Sequence, residues 1–148
     1  MGINSTIITS YNLLFTFLEM VQNIIISAVL IIISGISKAI QDKISFHWHK
    51  SVFSKIKKPK VLQWFNPETS WKNKYEWFPK SKTLTWIISN PLVMLTDAWH
   101  FFGMIRNLTL LAAGILLPLA WWSFLYYFIF ILTFHIFFHF FLTLKNNI

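Results

Sequence analysis

Between Leu92 and Leu144 the chain carries only two charged residues, Asp97 and Arg106, and its first 37 residues carry only Glu19. Apolar runs of this length constrain the fold more than any other feature. A membrane helix needs about 20 mostly apolar residues, and the hydrocarbon core demands that backbone N–H and C=O groups pair within the segment. The first span is expected at about 14–40, around NIIISAVLIIISGI. It reads as a span rather than a signal peptide, because it is too long and lacks a basic n-region. The second apolar run is too long for one helix. Pro118 is its natural break, since proline removes a backbone donor and clashes with the preceding turn. Spans at about 92–117 and 119–144 follow, folded back as an antiparallel hairpin; the alternative is one long helix kinked at Pro118.

The expected class is therefore an all-α membrane protein with three transmembrane helices in one membrane domain, 1–148. Composition agrees. Charged residues make up 12% of the chain, against about 25% in soluble domains, which is too little polar surface to solvate a globule. The absence of cysteine excludes disulfides, thiolate metal ligands and cysteine nucleophiles.

The net charge of +8 is concentrated: eleven of the thirteen basic residues lie between Lys38 and Lys82. Lysine and arginine are retained on the cytoplasmic side of short loops. The expected orientation has the N-terminus outside, the basic segment 41–91 cytoplasmic and the C-terminus cytoplasmic. This segment interleaves lysines with Trp64, Phe65, Trp71, Tyr75, Trp77, Phe78 and Trp86. Tryptophan and tyrosine favour the headgroup level, and each lysine near an anionic leaflet gains about 1 kcal/mol. A basic, aromatic-rich interfacial loop on the bilayer, in contact with anionic headgroups, is the expectation. Nucleic acid, which such a mixture can also bind, is disfavoured on a chain committed to the membrane. Asn66-Pro67 reads as a helix start, with Asn66 capping and Pro67 at the first helical position.

Polar residues inside the spans point to function, because ionisable groups there are costly and rare. In LTDAWHFF, Asp97 and His100 lie three apart and share a helix face. His135 and His139, in FHIFFHF, lie four apart and share another. Measured from Pro118, Asp97 is level with His139 and His100 with His135, near the basic end. His47 and His49 follow the first span just beyond the same interface, after Asp42. Imidazole with carboxylate is the ligand set of zinc and of non-haem iron. The expected metal set is Asp97, His100, His135, His139 and His47, with His49 and Asp42 as additional candidates. The metal-free alternatives are an Asp–His proton relay or a pocket for lipid phosphate. His-x-x-x-His in a membrane helix resembles one element of the membrane di-iron hydroxylases and desaturases. One such pair without adjacent histidines does not carry their activity over. Glu19 and Arg106 form a candidate intramembrane ion pair, and Gly35, Gly103 and Gly114 permit close helix approach.

FNPETSWKNKY and LTDAWHFF resemble segments of a group of short bacterial integral membrane proteins without an assigned activity. The resemblance covers roughly 38–106 and implies the same architecture and a bacterial inner-membrane location; it supplies no chemistry. Two functional classes remain. One is a metal-dependent enzyme, or a metal- or headgroup-binding protein, acting on a membrane substrate. The other is a non-enzymatic small subunit or scaffold that engages a protein partner or a second copy of itself.

Overall fold

The computed structural model describes residues 3–72, 92–117 and 122–143. Every regular element among them is helical: α1 (Ile3–Phe46), α2 (Pro59–Phe65), α3 (Ala98–Leu116) and α4 (Trp122–Thr143), with short 3-10 turns between. Three stretches are long and apolar enough to cross a membrane, Thr9–Phe46, Ala98–Leu116 and Phe124–Phe141. Among the described residues the protein is all-α, with three such helices. The break at Pro118, the interfacial aromatics from Tyr75 to Trp86 and the outer Trp121 fall outside the described residues.

The first helix is longer than expected. Its 44 residues span about 66 Å at 1.5 Å per residue, twice the hydrocarbon thickness. It serves as the common wall of the bundle. Both α3 and α4 pack along α1, and their contacts with each other are sparse.

A polar ladder sets the α1–α3 register. Ser27, Ser34 and Gln41 recur every seven residues on α1. Ser34 Oγ donates to the Arg106 carbonyl at 3.3 Å, and Gln41 Nε2 donates to the Trp99 carbonyl at 2.9 Å. Ser27 Oγ approaches the Ala113 carbonyl at 3.5 Å, the long limit of a hydrogen bond. Each pair of numbers sums to 140, so α3 runs antiparallel to α1. Helix carbonyls keep a second lone pair after accepting from the i+4 amide. In hydrocarbon, such interhelical bonds contribute about 0.6 kcal/mol each on average.

Size selects the α1–α4 contact. A Cβ on Gly35 would lie 3.0 Å from Thr133 Cβ and 3.1 Å from the Phe130 carbonyl; hydrogen there lets the two backbones close. Ile31 with Tyr126 above, and Lys43 over Phe138 below, show that α4 runs parallel to α1. Because α3 is antiparallel and α4 parallel to the same helix, α3 and α4 run antiparallel to each other, the mutual direction that the hairpin reading expected. Gly114 meets nothing within 4 Å, so it is not a packing glycine.

At the other end of α1 every residue from Thr9 to Met20 is exposed. Alongside, a shallow cavity of about 230 Å³ is lined by Thr16, Glu19, Asn23 and the end of α3 at Leu116 and Leu117.

The basic segment folds back over the bundle end. Pro59 opens α2 at its first turn, where its missing N–H costs nothing. Phe65 stacks on Phe53 with centroids 4.8 Å apart, and Phe53 meets Phe141 of α4. Trp64 packs on Phe101 and Phe102 of α3 while its Nε1–H donates to the Leu95 carbonyl at 3.3 Å. Asn66 does not start a long helix. It ends α2, and its side chain accepts from the Glu68 amide at 2.9 Å. A turn and the short Ser70–Lys72 helix follow.

Candidate functional site

The sequence reading placed Asp97 inside a helix; the fold makes it the residue before one. Asp97 is the N-cap of α3, in extended conformation at φ −155° and ψ 161°. Its Oδ1 accepts from the His100 amide at 2.9 Å, satisfying one of the donors a helix start leaves open. Its Oδ2 accepts from His100 Nδ1 at 2.7 Å, with Thr96 Oγ1 at 3.2 Å. Thr96 Oγ1 also reaches the Val93 carbonyl at 2.7 Å, closing the 3-10 turn Val93–Leu95. The three-residue spacing of Asp and His is thus a cap geometry.

That geometry has a chemical consequence. Asp97 is buried, at 4% exposure. Two N–H donors and the positive end of the α3 dipole hold its negative charge there. An imidazole that donates Nδ1–H to a carboxylate presents the lone pair of Nε2 outward. The His100 side chain is 37% exposed. It is oriented to accept a proton, accept a hydrogen bond from a headgroup hydroxyl such as that of glycerol, or bind a metal.

The other expected members do not join this pair. Gln41 against Trp99 and Lys43 over Phe138 put 97–100 and 135–139 at the same end of the bundle. The faces differ: His135 and His139 are exposed, on the side of α4 away from α1. His47 lies beyond α1 with its ring edge-on to Phe138 at 5.4 Å. His49 points elsewhere, 3.5 Å from Glu68 on the surface. Asp42 bonds Lys38, one turn earlier on α1. Among the described residues no three His, Asp or Glu side chains converge as a metal site. The reason is azimuth. Depth follows from counting residues, whereas direction follows from which face α4 packs on α1.

The Glu19–Arg106 pair is also not formed. The ladder sets Arg106 beside Ser34, fifteen residues and about 22 Å along α1 from Glu19. Arg106 Nη1 donates instead to Gln41 Oε1 at 3.0 Å, and Nε to Asn107 Oδ1 at 3.1 Å. The guanidinium thereby reaches along the helix interface toward the lysine-bearing end, as long cationic side chains do in membranes. Gln41 is 3% exposed and uses both ends of its amide. Gly103 makes room for it, since a Cβ there would sit 2.7 Å from Gln41 Nε2. The seven-residue recurrence of Ser27, Ser34 and Gln41 was the sequence signal for this ladder.

Lys43 was not singled out either. It is 0% exposed, and among the described residues its Nζ has no hydrogen-bond partner. The ammonium lies 3.3 Å from the centroid of the Phe138 ring.

Around this end, Lys50, Lys55, Lys57, Lys58, Lys60 and Lys72 are all exposed, with His49 beside Lys50. They form a cationic surface on the loop whose Trp64 is tied to Leu95, two residues before Asp97.

No protein-family model matches the chain, and no curated protein or solved structure matches it either.

Proposed function

We propose that this is an integral membrane protein that binds anionic lipid headgroups on the lysine-bearing face of its bundle. On this reading that face is cytoplasmic, as lysine retention requires, and the N-terminus lies outside. The observation that carries the proposal is the pairing of two features at one end. Six exposed lysines draw phosphate to the surface, and the Asp97-oriented His100 presents one directed nitrogen beside them. Lysines supply attraction without direction; the carboxylate-fixed imidazole supplies direction. A metal, zinc or non-haem iron, would use His100 Nε2 with Asp97 as its outer-shell partner. Its remaining ligands would have to come from a headgroup or another chain.

The test is native mass spectrometry of the full chain purified in mild detergent and exposed to phosphatidylglycerol or phosphatidylcholine. Retention of phosphatidylglycerol over phosphatidylcholine is expected. It should fall with Lys55→Gln, Lys57→Gln, Lys58→Gln and Lys60→Gln combined, and separately with His100→Ala. Equal retention of the two lipids by the unaltered protein would refute the proposal.

The second reading, a non-enzymatic subunit of a membrane complex, is favoured by the first turns of α1. Leu13 and Phe17, four apart and so on one side of the helix, are exposed there, and such a face suits a partner helix. Copurification from native membranes, lost with Leu13→Ser and Phe17→Ser, would support it.

A further inference from the structure

We infer that the lipid held at this face is a polyol phosphodiester such as phosphatidylglycerol, and that His100 selects it by accepting a hydrogen bond from a headgroup hydroxyl. The inference rests on the headgroup reading above and adds what separates one anionic lipid from another.

The first observation is the polarity of the imidazole. Asp97 Oδ2 lies 2.7 Å from His100 Nδ1, while Oδ1 accepts from the His100 amide at 2.9 Å. A carboxylate offers only lone pairs, so Nδ1 carries the hydrogen of that bond. A neutral imidazole is then left with an acceptor at Nε2. Asp97 is itself held fast. It is buried as the N-cap of α3, with Thr96 Oγ1 3.2 Å from the same Oδ2. The ring cannot turn over without giving up its bond to the carboxylate. Nε2 makes no hydrogen bond among the described residues. It is not closed off either, since Lys43 Nζ is the one buried side-chain nitrogen or oxygen among them without a partner.

The second observation is the company that this acceptor keeps. The surface around this end carries six exposed lysines, and an ammonium has three donors and no acceptor. Lys60 lies one turn before Trp64 on the same side of α2, and Trp64 is bonded to the Leu95 carbonyl. Phosphate oxygens find donors on the lysines but meet a lone pair at Nε2. An ammonium donor, as on a serine or ethanolamine headgroup, is repelled by the lysines. The complement to both features is a headgroup with net negative charge and neutral O–H donors. A phosphodiester of glycerol or another polyol has both.

The third observation is the wall beside His100. The Trp99 ring stands T-shaped to the imidazole, with centroids 5.0 Å apart, and Trp99 is 46% exposed. An indole at this level gives the carbon chain of a polyol an apolar surface next to the acceptor.

The experiment is native mass spectrometry of the full chain with four lipids of matched acyl chains. Phosphatidylglycerol is compared with phosphatidylethanol, which has the same phosphodiester charge and no hydroxyl, and with phosphatidylserine and phosphatidylcholine. Phosphatidylglycerol should be retained about two- to ten-fold over phosphatidylethanol, the range that one neutral hydrogen bond provides. Phosphatidylethanol should in turn exceed phosphatidylcholine, and phosphatidylserine should fare no better than phosphatidylethanol. His100→Ala should bring phosphatidylglycerol down to phosphatidylethanol, with both still above phosphatidylcholine. Unchanged thermal unfolding shows that this variant folds, and the comparison in the unaltered protein depends on no variant. Equal retention of phosphatidylglycerol and phosphatidylethanol, both above phosphatidylcholine, would overturn this inference and leave the headgroup reading standing. Equal retention of phosphatidylglycerol and phosphatidylcholine would overturn both. A preference for phosphatidylglycerol over phosphatidylethanol that survives His100→Ala would remove His100 from the role. Glycerophosphoglycerol, the same headgroup without acyl chains, should not displace the lipid at equal concentration; full displacement would overturn the assignment to a lipid.

Discussion

Replacing Lys43 with methionine should make the protein more stable. Lys43 is fully buried and its ammonium has no acceptor among the described residues. Leaving a buried charged group without a hydrogen bond costs about 3 kcal/mol or more. The Phe138 face, 3.3 Å from Nζ, offsets about 1–2 kcal/mol of that in a desolvated setting. When the bundle comes apart, the side chain is free to reach headgroups or water, so the remaining cost falls on the folded state. Methionine keeps the unbranched shape and gains a sulfur–aromatic contact of about 0.3–1.5 kcal/mol. Lys43→Met should therefore stabilise by about 1–2 kcal/mol, the residual after the ring contact is subtracted. The assay is reversible unfolding in mixed micelles followed by tryptophan fluorescence. A double-mutant cycle with Phe138→Leu isolates the ring contact and should return a coupling of about 1–2 kcal/mol. A destabilisation of more than about 1 kcal/mol by Lys43→Met would refute the reasoning, because Nζ would then have to hold a partner such as a lipid phosphate.

Three further outcomes are expected in the same assay. Gly35→Ala should cost about 1–3 kcal/mol by forcing α1 from α4, whereas Gly114→Ala, which meets nothing, should be neutral or stabilise by up to about 1 kcal/mol through helix propensity. Gln41→Leu should cost about 1–3 kcal/mol, since it strands the Arg106 guanidinium, and Gly103→Ala should reproduce part of that loss by displacing the same amide. Asp97→Ala should cost about 0.5–2 kcal/mol as a lost N-cap. Asp97→Asn should retain most of the cap while weakening the orientation of His100, which is read as reduced phosphatidylglycerol retention at nearly unchanged stability.

The span count, the opposite directions of α3 and α4 and the gathering of cations at one end were legible in the chain, because each rests on a one-dimensional property. Apolar length sets spans, proline breaks helices, and charge does not cross the bilayer. Asp97 was readable as polar and significant, and its capping role was available in Thr96-Asp97 before an apolar helix. It was missed because an acid three residues before a histidine also fits a shared helix face. Arg106 was misassigned for a related reason: Glu19 is the complementary charge, but only the ladder through Ser34 and Gln41 shows which residues lie beside it.

By itself the sequence determined that three long apolar helices form and that His135 and His139 share a face with each other; it did not set the limits of the first helix or the start of the second. Tertiary structure decided which way that face points. The fourth helix is apolar on every side, so hydrophobic periodicity gives it no preferred direction. Its rotation is set by the close approach of Gly35 to Thr133 and by Phe138 beneath Lys43. Those contacts turn the histidines outward, away from Asp97. In a bilayer, burial of apolar surface does not distinguish one helix face from another, and short-range fit between particular side chains makes the choice.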